Sequence, residues 1–202
     1  MSAPDPARLV VMISGSGSNL QAILDGCASG RLPATVAAVF SNRVEAYGLV
    51  RAKQAGVPAV VFPKDKATDR REYDNQLARA VLVYQPDWVV LAGWMRLLSA
   101  NFLNAFPGRV INLHPALPGT FPGTHAIERA LQAYRSGEIA HTGAMVHLVP
   151  DEGVDSGPVL AQAVVPILPG DNPETLEARV HQQEHALLVN TLEMLLTRKK
   201  IH

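Results

Sequence analysis

Short apolar runs alternate with segments of helical period along most of the chain. Leu9–Ser14, Thr35–Ser41, Ala59–Phe62, Trp88–Gly93 and Val110–His114 read as strands. Several of them are continuously apolar, as parallel strands covered on both faces are. Between them, Leu20–Ser29, Gly48–Gly56 and Asp69–Tyr84 carry apolar positions at the spacing of amphipathic helices. This alternation predicts an α/β fold, a doubly wound, mostly parallel sheet flanked by helices. After His114 the texture changes. Pro115–His125 is dense in proline and glycine and reads as a loop. A helix over about Ala126–Ser136, two β-like runs (Thr142–Val149 and Pro158–Ile167) and a final helix from Pro173 to about Leu196 complete the pattern. Asn172 stands as the N-cap of that last helix, with Pro173 at its first position. No internal repeat, low-complexity tract or linker interrupts the chain, so one domain over residues 1–202 is expected.

Composition narrows the classes of function. The chain has 202 residues, 48% of them apolar and 18% charged, a globular balance that excludes a disordered protein. A domain of this size buries roughly 70% of the surface its unfolded chain exposes, so it needs no disulfide or metal staple. Eighteen Lys and Arg balance eighteen Asp and Glu, which argues against nucleic acid as the main partner. The lone Cys27 can form neither an internal disulfide nor a cysteine metal cluster. The apolar runs are too short to span a bilayer, and the first residues carry no signal core. A cytoplasmic protein with no membrane partner is expected.

Two places carry candidate chemistry. The first strand runs into Gly15-Ser16-Gly17-Ser18-Asn19 and then a helix, an arrangement that turns backbone N–H groups and a helix N-terminus toward an anion. A dinucleotide fingerprint is incomplete here, because Leu20 takes its third glycine position and the second strand ends Ser41-Asn42-Arg43 without an acidic residue. No lysine completes a Walker loop. A phosphomonoester fits best, with a bare turn and a dinucleotide as the alternatives. The fifth strand ends Asn112-Leu113-His114-Pro115, so alternation puts Asn112 and His114 on one face at the carboxyl edge of the sheet. Asn offers an amide donor to a developing oxyanion, and His can donate or shuttle a proton. The acidic, glycine-broken loop Asp151–Pro158 can bring a carboxylate to His114, which would favour the imidazolium. No nucleophile elbow is present, so direct transfer fits better than a covalent intermediate. His181 and His185 lie one turn apart on the last helix, but His-Gln-Gln-Glu-His lacks the zincin pattern and a third ligand, and no metal is expected. His125, His141 and His147 read as loop or packing residues.

Taken together, Gly15–Asn19, Leu91–Leu98, Asn112–Gly123 and Asp155–Pro158 resemble the folate-dependent formyltransferases, from about Leu9 to Leu196. The glycine loop and Glu184-His185 resemble the branch that formylates glycinamide ribonucleotide. The resemblance implies a Rossmann-like formyltransferase fold and transfer of the formyl group of 10-formyltetrahydrofolate to the amine of 5-phosphoribosylglycinamide in purine biosynthesis. It implies backbone groups of Gly17, Ser18 and Asn19 on the 5′-phosphate and Glu184 on the ribose hydroxyls. It places Met95, Arg96, Leu97 and Leu98 along the pterin pocket with Asn112 beside them. It brings Arg70 toward the folate, chosen over Arg71 because it lies three before Tyr73-Asp74. It makes Asn112, His114 and Asp155 the catalytic trio. The partners implied are these small molecules, with folate a co-substrate and no tightly bound cofactor, and a homodimer is compatible with such a chain. The rivals are a formyltetrahydrofolate hydrolase, which would carry a regulatory domain before the first strand, a methionyl-tRNA formyltransferase, which would add a basic C-terminal domain, and a nucleotide-binding module without catalysis.

Overall fold

The structure, a computed structural model, describes residues 5–198. In chain order the elements are β1 (Ala7–Ile13), α1 (Ser18–Ala28), β2 (Ala34–Ser41), α2 (Gly48–Gln54), β3 (Ala59–Val61), α3 (Arg70–Leu82), β4 (Trp88–Leu91), α4 (Ala100–Leu103), β5 (Val110–His114), α5 (Ala126–Arg135), β6 (His141–Leu148), β7 (Val159–Pro166) and α6 (Pro173–Arg198). Every expected strand and helix is present. The one addition is α4, a single turn too short to show a period in sequence. Asn172 caps α6 through its Oδ1, which accepts from the Thr175 amide at 2.8 Å.

The strands form one seven-stranded sheet in the order β3-β2-β1-β4-β5-β6-β7. β1 to β5 pair in parallel, while β6 lies antiparallel to β5, and β7 to β6. Residues of β1 show why its sequence from Leu9 to Ile13 is unbroken by polar positions. Leu9, Val11 and Ile13 point to one face and pack with Leu20 and Ile23 of α1 and Leu188 and Leu192 of α6. Val10 and Met12 point to the other and pack with Tyr73, Leu77 and Val81 of α3 and with Phe102 of α4. A smaller core joins Ile127 and Leu131 of α5 to Val165 of β7 and Val180 of α6. Strand order reverses between β1 and β4, the place where open α/β sheets leave a crevice at their carboxyl ends.

The loop after β1 is shaped by a close approach of two backbones. Gly17 is the N-cap of α1 and has a left-handed φ of 71°. A Cβ built on it would lie 2.6 Å from the Gly48 α-carbon at the start of α2. A Cβ on Gly48 would in turn overlap the Ile13 Cδ1. The Gly48 amide donates to the Gly15 carbonyl at 3.1 Å, so the two turns are bonded as well as packed. Gly48→Ala is expected to cost about 1–3 kcal/mol by overpacking. A urea titration should show a lower midpoint with an unchanged slope, and a midpoint equal to the parent's would mean that the turns have room to separate.

Candidate active site

β5 ends at the carboxyl edge of the sheet with Asn112 and His114 on the same face, as strand alternation requires. The antiparallel neighbour β6 sets His147 directly opposite Asn112. The chain then leaves β6 and folds back on itself through Pro150–Pro158. Gly157 makes this possible, because a Cβ there would overlap the Leu148 carbonyl oxygen. Leu148 is also the residue whose amide donates to Pro158 at 2.9 Å, closing the loop. The fold-back delivers Asp155 to the end of β5. Its backbone is left-handed, with φ of 49°, a conformation that Asp and Asn tolerate better than most side chains.

The Asp155 carboxylate is a hub. Its Oδ1 accepts from Asn112 Nδ2 at 3.0 Å, and its Oδ2 accepts from the Gly123 amide at 2.8 Å. His114 Nδ1 stands 3.3 Å from Oδ2, and His147 Nε2 stands 3.5 Å from Oδ1. Burial alone would raise the Asp155 carboxyl, but the bonds from His147 and Gly123 and the nearby His114 outweigh it and hold it below the usual carboxylate range. His147 Nδ1 donates to the Leu148 carbonyl at 2.8 Å, and its Nε2 lies 3.1 Å from Asn112 Nδ2 and near the same Asp155 oxygen. Asn112 Nδ2 thus stands between Asp155 and His147.

His114 is 4% exposed, and each of its ring nitrogens faces an acceptor: Nδ1 faces Asp155, and Nε2 lies 3.1 Å from the Phe121 carbonyl. A neutral ring can donate to only one of them, so the surroundings would suit an imidazolium. Burial is nevertheless the largest influence, and it holds the His114 pKa below its ordinary value although Asp155 and Phe121 push the other way. This corrects the expectation from sequence that the carboxylate would raise the His114 pKa. The carboxylate is in place, but burial exceeds it.

These groups open into a cleft of about 630 Å³. Met95, Arg96, Leu97 and Leu98 line it, together with Asn112, His114, Asp155 and the 151–154 loop. The 95–98 segment is pinned at both ends. The Met95 amide donates to Ser14 Oγ at 2.8 Å, and the Ser99 amide donates to the buried Asp74 carboxylate at 2.6 Å. Ser14 Oγ itself donates to Asn42 Oδ1 at 2.5 Å, so one hydroxyl ties the end of β1 to the wall of the cleft. Arg96 lies over the Tyr73 ring at 5.1 Å. Gly17, Ser18 and Asn19 sit beside the cleft rather than in its lining. No side chain caps α1 there, which leaves its first-turn amides for an external partner. The loop is joined to the cleft through Glu184, 3% exposed, whose Oε2 accepts from Asn19 Nδ2 at 3.3 Å and stands 2.5 Å from His181 Nδ1. His181 lines the cleft. Among the described residues no three His, Cys, Asp or Glu side chains are grouped to hold a metal ion. No helix among them is long and apolar enough to cross a membrane.

Comparison with known proteins places this geometry. A family model described as formyl transferase matches residues 7–192. The chain belongs to the formyl transferase family. Within it, the chain is 47% identical over 206 residues to the phosphoribosylglycinamide formyltransferase of Schizosaccharomyces pombe, covering 96% of this chain and 99% of that one. To the Escherichia coli protein of the same name it is 46% identical over 180 residues, covering 89% and 82%. The crystal structure of glycinamide ribonucleotide transformylase 1 from Symbiobacterium toebii superposes with a TM-score of 0.91 at 42% identity, covering 97% of this chain and 90% of that one. The fold of this formyltransferase is therefore the one its sequence predicts.

Two residues stand differently from their expected places. Arg70 does not line the cleft of this formyltransferase; its Nη2 pairs with Glu152 Oε2 at 3.0 Å, and Glu152 Oε1 accepts from the Ala100 amide at 2.9 Å. Arg70 thus braces the 151–154 loop from behind. His147, read as a packing residue, belongs to the hub. Its signal was present in sequence as the one ionisable side chain inside the apolar run Thr142–Val149. The buried His114 gives a test. Its folded pKa is depressed, so as pH falls the unfolded chain takes up this proton first, and stability present above the unfolded value is lost below it. Between about pH 7.5 and about pH 5.5, either side of the unperturbed value near 6.5, the parent should lose more stability than His114→Gln in urea titrations. Equal losses would show that His114 takes up its proton as readily folded as unfolded.

Proposed function

We propose that residues 1–202 act as a single formyltransferase domain in the cytoplasm. It moves the formyl group of 10-formyltetrahydrofolate to the primary amine of 5-phosphoribosylglycinamide in purine biosynthesis. The reading rests above all on the meeting of Asn112, His114 and Asp155 beside the Met95–Leu98 wall, in a chain whose relatives carry the name of that reaction. The pterin would lie along Met95–Leu98, its polar edge against backbone held by Ser14 and Asp74. The phosphate would take the free amides at Gly17, Ser18 and Asn19, and the ribose hydroxyls would donate to Glu184.

The amine attacks the formyl carbon, the new N–C bond forms and negative charge builds on the formyl oxygen. Collapse breaks the bond to the folate nitrogen, which receives a proton as the amine loses one. His114 can donate a hydrogen bond from Nε2 to the formyl oxygen only where that oxygen replaces the Phe121 carbonyl as acceptor. Likewise, an Asn112 amide proton reaches the oxygen by leaving His147 or by bridging. Asp155, beside Nδ1, favours the imidazolium form of His114, the form that donates most strongly to the developing oxyanion. Much of the rate comes from holding two substrates in register. Every group used comes from one chain, so the reading holds for a monomer and a homodimer alike.

An acceptor comparison tests the assignment. Turnover of 10-formyltetrahydrofolate should depend on added phosphoribosylglycinamide and should not occur with water or methionyl-tRNA alone. Folate consumption indifferent to phosphoribosylglycinamide would refute it. Asp155→Asn keeps the left-handed backbone and the shape of the side chain but removes the charge. Its kcat should fall by about 10²–10³-fold, the usual scale for loss of transition-state charge stabilisation. Both KM values should stay within about threefold of the parent's, the pattern of an interaction made mainly in the transition state. A folded variant with near-parental kcat would remove Asp155 from the mechanism.

A further inference from the structure

His181 has no place in the reaction described so far, yet its setting is unusual. It sits on α6 with its side chain 38% exposed, and it lines the cleft with Glu177. Both ring nitrogens face carboxylates: Nδ1 stands 2.5 Å from Glu184 Oε2, and Nε2 stands 3.2 Å from Glu177 Oε1. A ring bonded to two carboxylates donates from both nitrogens, which only the imidazolium can do. Glu184 is buried and continues the chain to Asn19 of the glycine loop. The Asn19 Oδ1 is itself buried without a partner. Glu177, His181, Glu184 and Asn19 thus form a polar file from the cleft to the loop.

We propose that His181 is a positioning residue for the phosphoribosyl substrate: its imidazolium, clamped between Glu177 and Glu184, orients Glu184 toward the ribose hydroxyls and offsets the carboxylate charge that would otherwise repel the phosphate. The proposal rests on the ribonucleotide reading of the glycine loop. A phosphate dianion held at Gly17–Asn19 lies at the far end of this file from Glu177. Without a cation in the file, two carboxylates stand toward that anion, and like charges disfavour binding. The placement of the charge also explains why a buried glutamate is tolerated, since one of its oxygens is shared by an amide and an imidazolium while Oε1 is left for substrate.

The pH dependence follows with a definite sign. The bond to Glu184, strengthened by Glu177, keeps the His181 pKa above its ordinary value despite its partial burial. Binding help is therefore present at neutral pH and lost as pH rises through the folded pKa. Two other histidines near the file move the opposite way. His185, next to Glu184 on α6 and influenced by Arg51 of α2, is held below its ordinary value mainly by burial. His114 on β5, which also feels Glu184, is held below for the same reason. Neither gains or loses its proton as pH rises above the ordinary histidine value.

The test uses ribose 5-phosphate as the probe, with calorimetric titration at about pH 6.8 and about pH 8.8, where a phosphomonoester is already mostly dianionic because its second pKa is near 6. The parent should bind about tenfold more weakly at the higher pH, which corresponds to about 1.4 kcal/mol. His181→Gln should bind at the parent's high-pH level at both values, with no slope. His181→Lys should restore tight binding and also show no slope. In turnover assays His181→Gln should raise the ribonucleotide KM about tenfold, with kcat within about twofold and the folate KM unchanged, a loss of uniform binding. A His181→Gln protein that keeps the parent's slope or its tighter affinity overturns the proposal, as does an equal rise in both KM values. If the parent binds ribose 5-phosphate with this slope but does not formylate phosphoribosylglycinamide, the reaction assignment fails while the role of His181 stands. If it formylates but the slope is absent, the reverse holds.

Discussion

A single carboxylate organises the reactive end of this protein. Asp155 accepts from Asn112 and from the Gly123 amide, and it has an imidazole against each oxygen. It thereby joins four stretches of chain: the end of β5, the Pro-rich loop, β6 and its own fold-back. Truncating the side chain, as in Asp155→Ala, would release all of them, because each partner would be left buried without the oxygen it faces. The left-handed backbone at Asp155 and the bare α-carbon of Gly157 are the local means by which the loop reaches that point. Strain of this kind persists where surrounding structure fixes it, and it concentrates at working sites.

The rest of the cleft is built around this hub by side chains that bind backbone. Ser14 and Asp74 hold the two ends of the Met95–Leu98 wall, Glu152 holds Ala100, and Arg70 holds Glu152. Each of these bonds joins segments far apart in sequence. They give the cleft a fixed wall and leave Met95 and Leu97 exposed toward whatever enters. The internal satisfaction of Asn112 and His114 means that a bound ligand must offer better partners than Phe121 and His147 do. Selectivity for a ligand carrying a strong hydrogen-bond acceptor follows from that competition.

Much of this was legible in the sequence, and the exceptions have common physical causes. Unbroken apolar runs such as Leu9–Ile13 identify buried parallel strands because both faces must be covered. Alternation alone put Asn112 and His114 on one face. His147 escaped because its meaning lies in cross-strand register, which no local pattern encodes. The spacing to Tyr73-Asp74 singles out Arg70 in sequence but does not reveal that Asp74 anchors the Ser99 amide. Motif spacing shows a carboxylate near His114, whereas the depth of burial that outweighs it and lowers the His114 pKa depends on the whole packed structure. Arg70 kept its neighbourhood but not its direct exposure to the cleft, since a side chain that long takes whichever partner the tertiary fold supplies first.

The facing glycines at positions 17 and 48 carry a consequence for how the protein tolerates change. Each α-carbon fills the space that the other's Cβ would need, so the two positions behave as one unit. The first substitution must push the β1–α1 and β2–α2 turns apart, and the second would then meet a gap already opened. Their energies are accordingly sub-additive, unlike those of distant sites. Release is only partial, because Gly17 keeps its left-handed backbone and Gly48 still faces Ile13. Descendants of such a sequence reach a differently spaced glycine loop more readily by altering both turns together than by either change alone.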